Sequence, residues 1–87
     1  MRRRGLFDIY ADILRAIGDG CVKTRIVYRA NLNFIRCNRH VSGLFKRELV
    51  KVKTNSPSGW AITSRGYEFL RKYEELKNFF LGEEEKK

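Results

Sequence analysis

Two cysteines and one histidine raise the question of a zinc site in this chain. Cys37 and His40 have the Cys-x-x-His spacing of a two-ligand pair, and Cys21 could supply a third ligand. A structural zinc site requires four ligands, usually in two closely spaced pairs. The favoured interpretation is therefore that both cysteines pack in the core, and we predict no metal site and no cofactor.

The residue combinations that most catalytic sites use are also missing from the sequence. There is no glycine-rich phosphate loop and no nucleophile beside a general base. Asp8, Asp12 and Asp19 have no evident catalytic partner. We predict that the protein is not an enzyme and that it has no small-molecule substrate.

Basic residues dominate the chemistry of the chain, and they are unevenly distributed. The 87 residues include 19 Lys and Arg against 10 Asp and Glu, a formal net charge of +9. Residues 1–66 contain 14 of the bases and 4 of the acids, whereas residues 67–87 contain 5 and 6. Between residues 20 and 53, nine bases accompany a single acid, Glu48. This clustering favours a nucleic acid partner, because each phosphate that is neutralised releases condensed counterions.

Length and composition limit the molecule to one small folded domain. A chain of 87 residues leaves no room for a second domain, and 43% hydrophobic residues are enough to form a core. Two cysteines are too few for a disulfide-dense scaffold. The apolar runs are at most three residues long, which argues against a membrane-spanning segment. We expect a cytoplasmic protein that does not enter membranes.

Apolar spacing in the first third of the chain predicts two helices. Between Leu6 and Ile17, apolar residues recur at intervals of three and four, which predicts a helix over 6–17 that ends at the following glycines. Thr24 is a suitable N-cap for a short helix over 25–30. The two helices would share an apolar inner face. We expect Trp60, Tyr28, His40 and the phenylalanines to pack in the core, because most of them fall at core-compatible positions; the alternative is that they stack on exposed bases.

A third helix and a hairpin are predicted next. Asn33 caps a helix over 34–48, whose apolar residues are Phe34, Cys37, Val41, Leu44 and Phe45. Residues 49–53 and 60–62 are typical of two strands, and the intervening turn contains the only proline. Thr63 then caps a last helix over 64–81, which Gly82 is expected to break.

This order of elements predicts a winged helix-turn-helix, a mainly α domain with a small β-hairpin (α+β). The run KTRIVYRANLNF at 23–34 resembles a segment of a family of small archaeal winged-helix DNA-binding proteins. That family includes coiled-coil chromatin proteins and related transcriptional regulators. The run ITSRGYEFL at 62–70 resembles the family's transition from the wing to the last helix. Glu48 departs from the pattern, because glycine often follows the recognition helix in such domains.

The resemblance covers about residues 6–81. It implies double-stranded DNA binding through the third helix and the wing, and homodimerisation through the C-terminal helix. We divide the chain into a basic tail (1–5), a winged helix-turn-helix domain (6–63), a dimerisation helix (64–81) and a charged tail (82–87). Arg2, Arg3 and Arg4 are either a disordered tail or an arm that enters a minor groove.

Candidate DNA contacts are the basic and short polar residues of the helix-turn-helix and the wing. Arginine can pair with guanine and asparagine with adenine through two hydrogen bonds, whereas lysine and hydroxyl groups suit phosphates. From the sequence, the side chains of the third helix could contact either the bases or only the phosphates. The candidates are Lys23, Thr24, Arg25, Arg29, Asn33, Arg36, Asn38, Arg39, Ser42, Lys46, Lys51, Lys53 and Asn55.

The last helix has an apolar seam that could join two copies of the chain. Phe69, Tyr73, Leu76 and Phe80 follow one another at intervals of four, three and four residues, as in a heptad pattern. We predict that these residues form a homodimer; the alternative is that they pack back on their own domain.

We therefore predict a nucleoid-associated protein that binds double-stranded DNA as a transcriptional regulator or as a chromatin-like architectural protein. The alternative is a winged helix that serves as an RNA-binding or protein-interaction module. The concentration of charge on the helix-turn-helix and wing disfavours a protein-interaction role.

Overall fold

The structure, a computed structural model, describes residues 4–18, 20, 22–53 and 59–85. These residues form helices α1 (Leu6–Ile17), α2 (Lys23–Ala30) and α3 (Phe34–Lys46), strands β1 (Val50–Lys53) and β2 (Gly59–Ile62), and helix α4 (Ser64–Glu85). The order and types of the elements confirm the predicted winged helix-turn-helix. In the part of the chain that the structure describes, no helix has the length and hydrophobicity of a membrane span.

Helix α2 begins earlier than predicted. Val22 is its N-cap and makes no side-chain capping bond, so Thr24 lies inside the first turn and the prediction that it caps the helix was wrong. At the other end, Asn31 adopts the left-handed conformation with φ 56° and starts the tight turn to α3. Asn33 caps α3 as predicted, because its side-chain oxygen accepts a hydrogen bond of 2.7 Å from the Arg36 backbone N–H.

Helix α3 ends at Lys46, two residues before the predicted end. Glu48 has φ 62°, a left-handed conformation that cannot continue a helix. Its N–H donates to the Phe45 carbonyl at 3.0 Å, and the N–H of Leu49 donates to the Leu44 carbonyl at 2.9 Å. These two bonds are those of a Schellman motif, in which glycine is the usual left-handed residue. In this chain glutamate occupies the position.

Strands β1 and β2 form an antiparallel hairpin, in which Val50 lies opposite Ile62 and both side chains are buried. The hairpin tip at 54–58 lies outside the described residues. Thr63 joins the hairpin to α4, because its hydroxyl donates to the Glu48 carbonyl at 2.6 Å and accepts from the Gly66 N–H at 3.0 Å. The predicted cap of the last helix is therefore confirmed.

Helix α4 continues through Gly82 to Glu85. The predicted break at Gly82, and with it the separate charged tail over 82–87, was wrong as far as the structure describes these residues. A single glycine inside a helix costs only about 1 kcal/mol relative to alanine, and the three glutamates that follow are good helix formers.

The first three helices enclose the core. The side chains of Ile13, Leu14, Ile17, Ile26 and Leu44 are completely buried. Helix α3 approaches α1 closely at Gly43, where a β-carbon would lie 2.5 Å from the Tyr10 hydroxyl oxygen. A glycine at this position therefore permits the contact between the two helices.

Several aromatic residues that were assigned to the core are exposed. Phe34 and Phe45 on α3 are 51% and 49% exposed, and Tyr28 on α2 is 79% exposed. Phe34 is the first residue of its helix and so lies beyond the core, while Phe45 packs edge-on against Trp60 of the hairpin at 5.8 Å between ring centroids. Trp60 itself packs against the core, as predicted.

The end of the basic N-terminal segment is held against the domain. Arg4 forms an ion pair of 3.0 Å with Asp12 and donates to the carbonyl oxygens of Ala30 and Asn31 at 2.8 and 3.2 Å. The prediction of a free tail over 1–5 was therefore wrong for Arg4, which connects α1 to the C-terminus of α2. Residues 1–3 lie outside the described residues.

Candidate nucleic-acid interface

Helix α3 presents a line of exposed side chains on the side opposite the core. Residues that are 4, 7 and 11 positions apart lie on one side of a helix. We call the exposed residues at this spacing the outer line of α3; they are Ile35, Arg39, Ser42 and Lys46. The buried residues on the other side are Cys37, Val41 and Leu44. Arg36 and Asn38 are exposed on the two flanks of the outer line.

The environment of His40 reflects the positive charge around α3. His40 is half-buried on the flank of α3 that packs against Tyr10, with the two rings edge-on at 6.0 Å. Burial, followed by the charges of Arg36, Arg39 and Arg4, lowers the pKa of His40 below its ordinary value of 6.5. The positive charges of these arginines therefore act on the flank of α3 that carries His40.

Two predicted contact residues are engaged within the domain. The guanidinium of Arg29 donates to the Ala16 carbonyl at 3.0 Å and so connects α2 to α1. The side-chain oxygen of Asn33 is used to cap α3. Both residues are exposed, and their contact with a nucleic acid stays a prediction.

Helix α2 contributes polar residues on its outer side. Thr24 and Arg25 are exposed, as is Tyr28, which sequence reasoning assigned to the core. Lys23 is the first residue of the helix, and its side chain lies outside what the structure describes. The exposed tyrosine could have been found by projecting α2 as a helix, because it falls opposite Ile26 and Ala30, which are buried.

The two lysines of β1 lie on the face of the hairpin opposite the buried Val50. Lys51 pairs with Ala61 and Lys53 with Gly59, so both side chains alternate with the buried Val50. Lys51 is exposed, whereas Lys53 is half-buried. The Lys53 side chain lies over Gly20, where a β-carbon would be 3.0 Å from its ammonium nitrogen. Asn55 lies outside the described residues.

The first half of the predicted seam of α4 packs on its own domain. Phe69 contacts Phe7 and Tyr10 edge-on, with ring centroids at 5.9 and 6.3 Å. Tyr73 stacks on Phe69 and donates a hydrogen bond to Asp8, which raises the pKa of the tyrosine. Phe69 and Tyr73 therefore pack back on their own domain, which was the alternative to a dimer seam, and they hold α4 against α1.

The second half of the seam is exposed. Leu76 and Phe80 are 57% and 56% exposed, and with Leu6 and Phe7 of α1 they line an open groove of about 800 Å³. We call this surface the apolar groove. Sequence reasoning missed the contribution of Leu6 and Phe7, because Leu6 was assigned to the core face of α1 and Phe7 lies just beside it.

Within the described part of the chain, no three His, Cys, Asp or Glu side chains are close enough to share a metal ion. Cys37 is fully buried among the core residues, and Cys21 lies outside the described residues. Where α1 contacts α4, Arg15 forms ion pairs with Asp12 and Glu74.

Comparison with known proteins agrees with the architecture. Residues 3–80 match the family model described as winged helix-turn-helix. Among solved structures, the chain is similar to the crystal structure of Sso10a-2, a DNA-binding protein from Sulfolobus solfataricus, with 28% sequence identity and a TM-score of 0.78. The similarity covers 94% of this chain and 92% of that chain. No curated protein matches the chain.

Proposed function

Because the chain belongs to the winged helix-turn-helix family, we propose that it binds double-stranded DNA as a homodimer. In this proposal α3 enters the major groove, and the hairpin lies along the neighbouring phosphate backbone. The similarity to a solved DNA-binding protein over 94% of the chain supports this assignment. The protein would act on the nucleoid, as a transcriptional regulator or as an architectural protein.

The observation that carries the proposal is the outer line of α3. It is exposed over three helical turns, and two of its four residues, Arg39 and Lys46, are cationic. An α-helix fits the major groove of B-form DNA, where arginine can donate two hydrogen bonds to guanine. Glu48, the single acid between residues 20 and 53, follows α3 and lies outside this line. The face therefore combines the shape and the charge that duplex DNA requires.

The remaining exposed cations suit contacts to phosphates. Arg25 on the outer side of α2 and Lys51 on the hairpin are exposed on elements that flank α3. Contacts of this kind fix the position of a protein on the duplex without reading its sequence. We therefore assign base contacts to α3 and backbone contacts to α2 and the hairpin.

Salt dependence tests the electrostatic part of the proposal. The affinity for a mixed-sequence duplex should fall by about 0.9 log unit per log unit of salt for each phosphate contacted. Titrations at two salt concentrations, read by fluorescence anisotropy, measure this slope. A flat dependence would contradict the proposal.

Competition with double-stranded RNA tests the choice of nucleic acid. Double-stranded RNA of the same sequence should compete poorly, because its major groove is too narrow for side chains to read. Equal competition would favour the RNA-binding alternative.

A pair of arginine variants tests the assignment of the interface. Arg39→Ala should weaken duplex binding about tenfold, since a bidentate contact to a base contributes about 1–3 kcal/mol. Arg71→Ala removes the same charge from an exposed position on α4, a helix that carries none of the predicted DNA contacts, and should leave the affinity within about twofold. Equal losses for the two variants would mean that the effect is one of net charge, and not of the outer line of α3.

Sequence discrimination separates the two forms of the function. A regulator should bind one site about 10³-fold or more tightly than random duplex, whereas an architectural protein should bind most duplexes alike. Selection from a random duplex library measures this ratio directly.

The homodimer is proposed from the apolar groove. Its lining residues Leu76 and Phe80 are more than half exposed, although a single small domain seldom leaves a contiguous apolar surface uncovered. The distribution of charge also favours a second copy of the chain as the partner that covers the groove. Residues 67–87 contain 5 bases and 6 acids and are nearly neutral, whereas the rest of the chain is strongly basic and would repel a second copy. We therefore propose that two α4 helices pair at this groove.

A further inference from the structure

An isoleucine interrupts the polar outer line of α3. Ile35 is 73% exposed, the largest exposed fraction among the aliphatic side chains that the structure describes. It lies in the first turn of α3, whereas the other three members of the outer line are charged or hydroxylic. Core packing does not account for an aliphatic side chain at this position, which faces directly away from the core.

Its position on the helix is one from which bases are read. In helix-turn-helix proteins the N-terminal residues of the recognition helix contact the base edges. Four residues separate Ile35 from Arg39, which corresponds to about 6 Å along a helix. Base pairs are stacked about 3.4 Å apart, so the two side chains reach base pairs that are one or two steps apart.

An aliphatic side chain in a major groove has one suitable partner. The groove presents hydrogen-bonding groups on every base pair, and its one apolar group is the C5 methyl of thymine. Ile35 can neither donate to a phosphate nor pair with a base edge, and covering a polar edge without a hydrogen bond is unfavourable. A methyl group is therefore the chemistry that complements it.

We propose that Ile35 is a specificity-determining residue that contacts thymine methyl groups in the major groove. Arg39 would contact a guanine one or two base pairs away, so the preferred duplexes contain thymine and guanine at that separation. This inference rests on the proposed binding of duplex DNA, and it adds the base chemistry that the first turn of α3 recognises.

Replacing thymine by deoxyuridine tests the proposal, because it removes the C5 methyl group and leaves every hydrogen-bonding group in place. Two mixed-sequence duplexes, one with thymine and one with deoxyuridine at the same positions, are titrated with the full chain. The wild-type protein should bind the deoxyuridine duplex about fourfold more weakly for each thymine methyl group that Ile35 covers. Ile35→Ala should bind the two duplexes equally. Val52→Ala, which shortens an exposed aliphatic side chain on the hairpin, should keep the wild-type preference.

A second pair of duplexes provides the converse test. Replacing cytosine by 5-methylcytosine in a G·C-rich duplex adds a methyl group at the corresponding place in the groove, and it should strengthen binding by the wild-type protein but not by Ile35→Ala. Equal, salt-dependent binding of the thymine and deoxyuridine duplexes by the wild-type protein would overturn the role of Ile35 and leave DNA binding intact. A preference for thymine that persists in Ile35→Ala would also overturn it. Absence of binding to any duplex would overturn the proposed function itself.

Discussion

At the scale of single residues, Glu48 combines backbone strain with an unfavourable charge. Its φ of 62° is a conformation that costs residues with a β-carbon about 1 kcal/mol. The conformation is held from both sides, since its N–H and its carbonyl oxygen both form hydrogen bonds, the latter with Thr63. It is also the single acid between residues 20 and 53. A substitution at this position should therefore affect both stability and DNA binding.

Glu48→Gly should raise the free energy of unfolding by about 0.5–1 kcal/mol, because glycine adopts positive φ without steric cost. It should also strengthen duplex binding by removing a negative charge from the end of α3. Urea denaturation and duplex titration measure the two effects. Glu48→Ala is the matched control: it removes the same charge but keeps a β-carbon, so it should strengthen binding without the gain in stability. Equal stability of the two variants would contradict the assigned strain.

At the scale of elements, the sequence predicted several boundaries that depend on local chemistry, although Thr24 was wrongly assigned as the cap of α2. The apolar spacing of α1 and the caps Asn33 and Thr63 were predicted, since each depends on residues only a few positions away. The end of α3 was misplaced, because the left-handed turn at Glu48 is held by a hydrogen bond from Thr63, 15 residues along the chain, and glutamate gives no signal for it. The length of α4 was underestimated, because glycine at position 82 was given more weight than its modest cost in a helix.

Local sequence patterns could not predict which side chains of the candidate site are exposed and which pack against another element. Phe34 satisfies the helical spacing of α3 but lies beyond the end of the core, so it is exposed. Phe69 and Tyr73 satisfy a dimer seam equally well, yet they pack on α1. Arg29 is a cation that carries out a structural role through the Ala16 carbonyl. In each case the outcome depends on which element lies opposite, and the spacing of residues does not contain that information.

The contact between α1 and α3 should make stability depend on pH through His40. Burial against Tyr10 and the charges of Arg36, Arg39 and Arg4 lower its pKa in the folded state below 6.5. The unfolded chain therefore binds more protons near and below pH 6.5, so the stability contributed by neutral His40 is complete above that pH and is lost as the pH falls.

Urea denaturation at pH 7.5 and pH 5.5 measures this loss, within a range in which ordinary carboxylates stay ionised. The wild-type protein should be less stable at the lower pH, and His40→Gln, which cannot titrate, should show a smaller change. The same decrease in both proteins would show that another group is responsible.

At the scale of the whole molecule, the charged and apolar surfaces belong to different parts of the fold. The outer line of α3 belongs to the helix-turn-helix, whereas the apolar groove is formed by α4 and the start of α1. A second copy can therefore cover the groove and leave both outer lines exposed. A two-fold axis through paired α4 helices would fix the separation of the two α3 helices, which sets the spacing of the contacted half-sites.

A charge in the apolar groove should separate dimerisation from folding. Leu76→Glu places a carboxylate at a side chain that is 57% exposed, so the domain should keep its fold while the pairing of α4 helices is lost. Sedimentation at tens of micromolar, without DNA, should then show a wild-type dimer and a monomeric variant. The variant should bind duplex DNA more weakly. A plot of its log affinity against log salt concentration should have about half the wild-type slope, because a monomer contacts half as many phosphates.

Asn78→Glu is the matched control, because it adds the same charge at an exposed position on α4 outside the groove. It should remain dimeric with the wild-type slope. A wild-type protein that sediments as a monomer, or a Leu76→Glu variant that remains a dimer, would contradict the proposed pairing of α4 helices at the apolar groove.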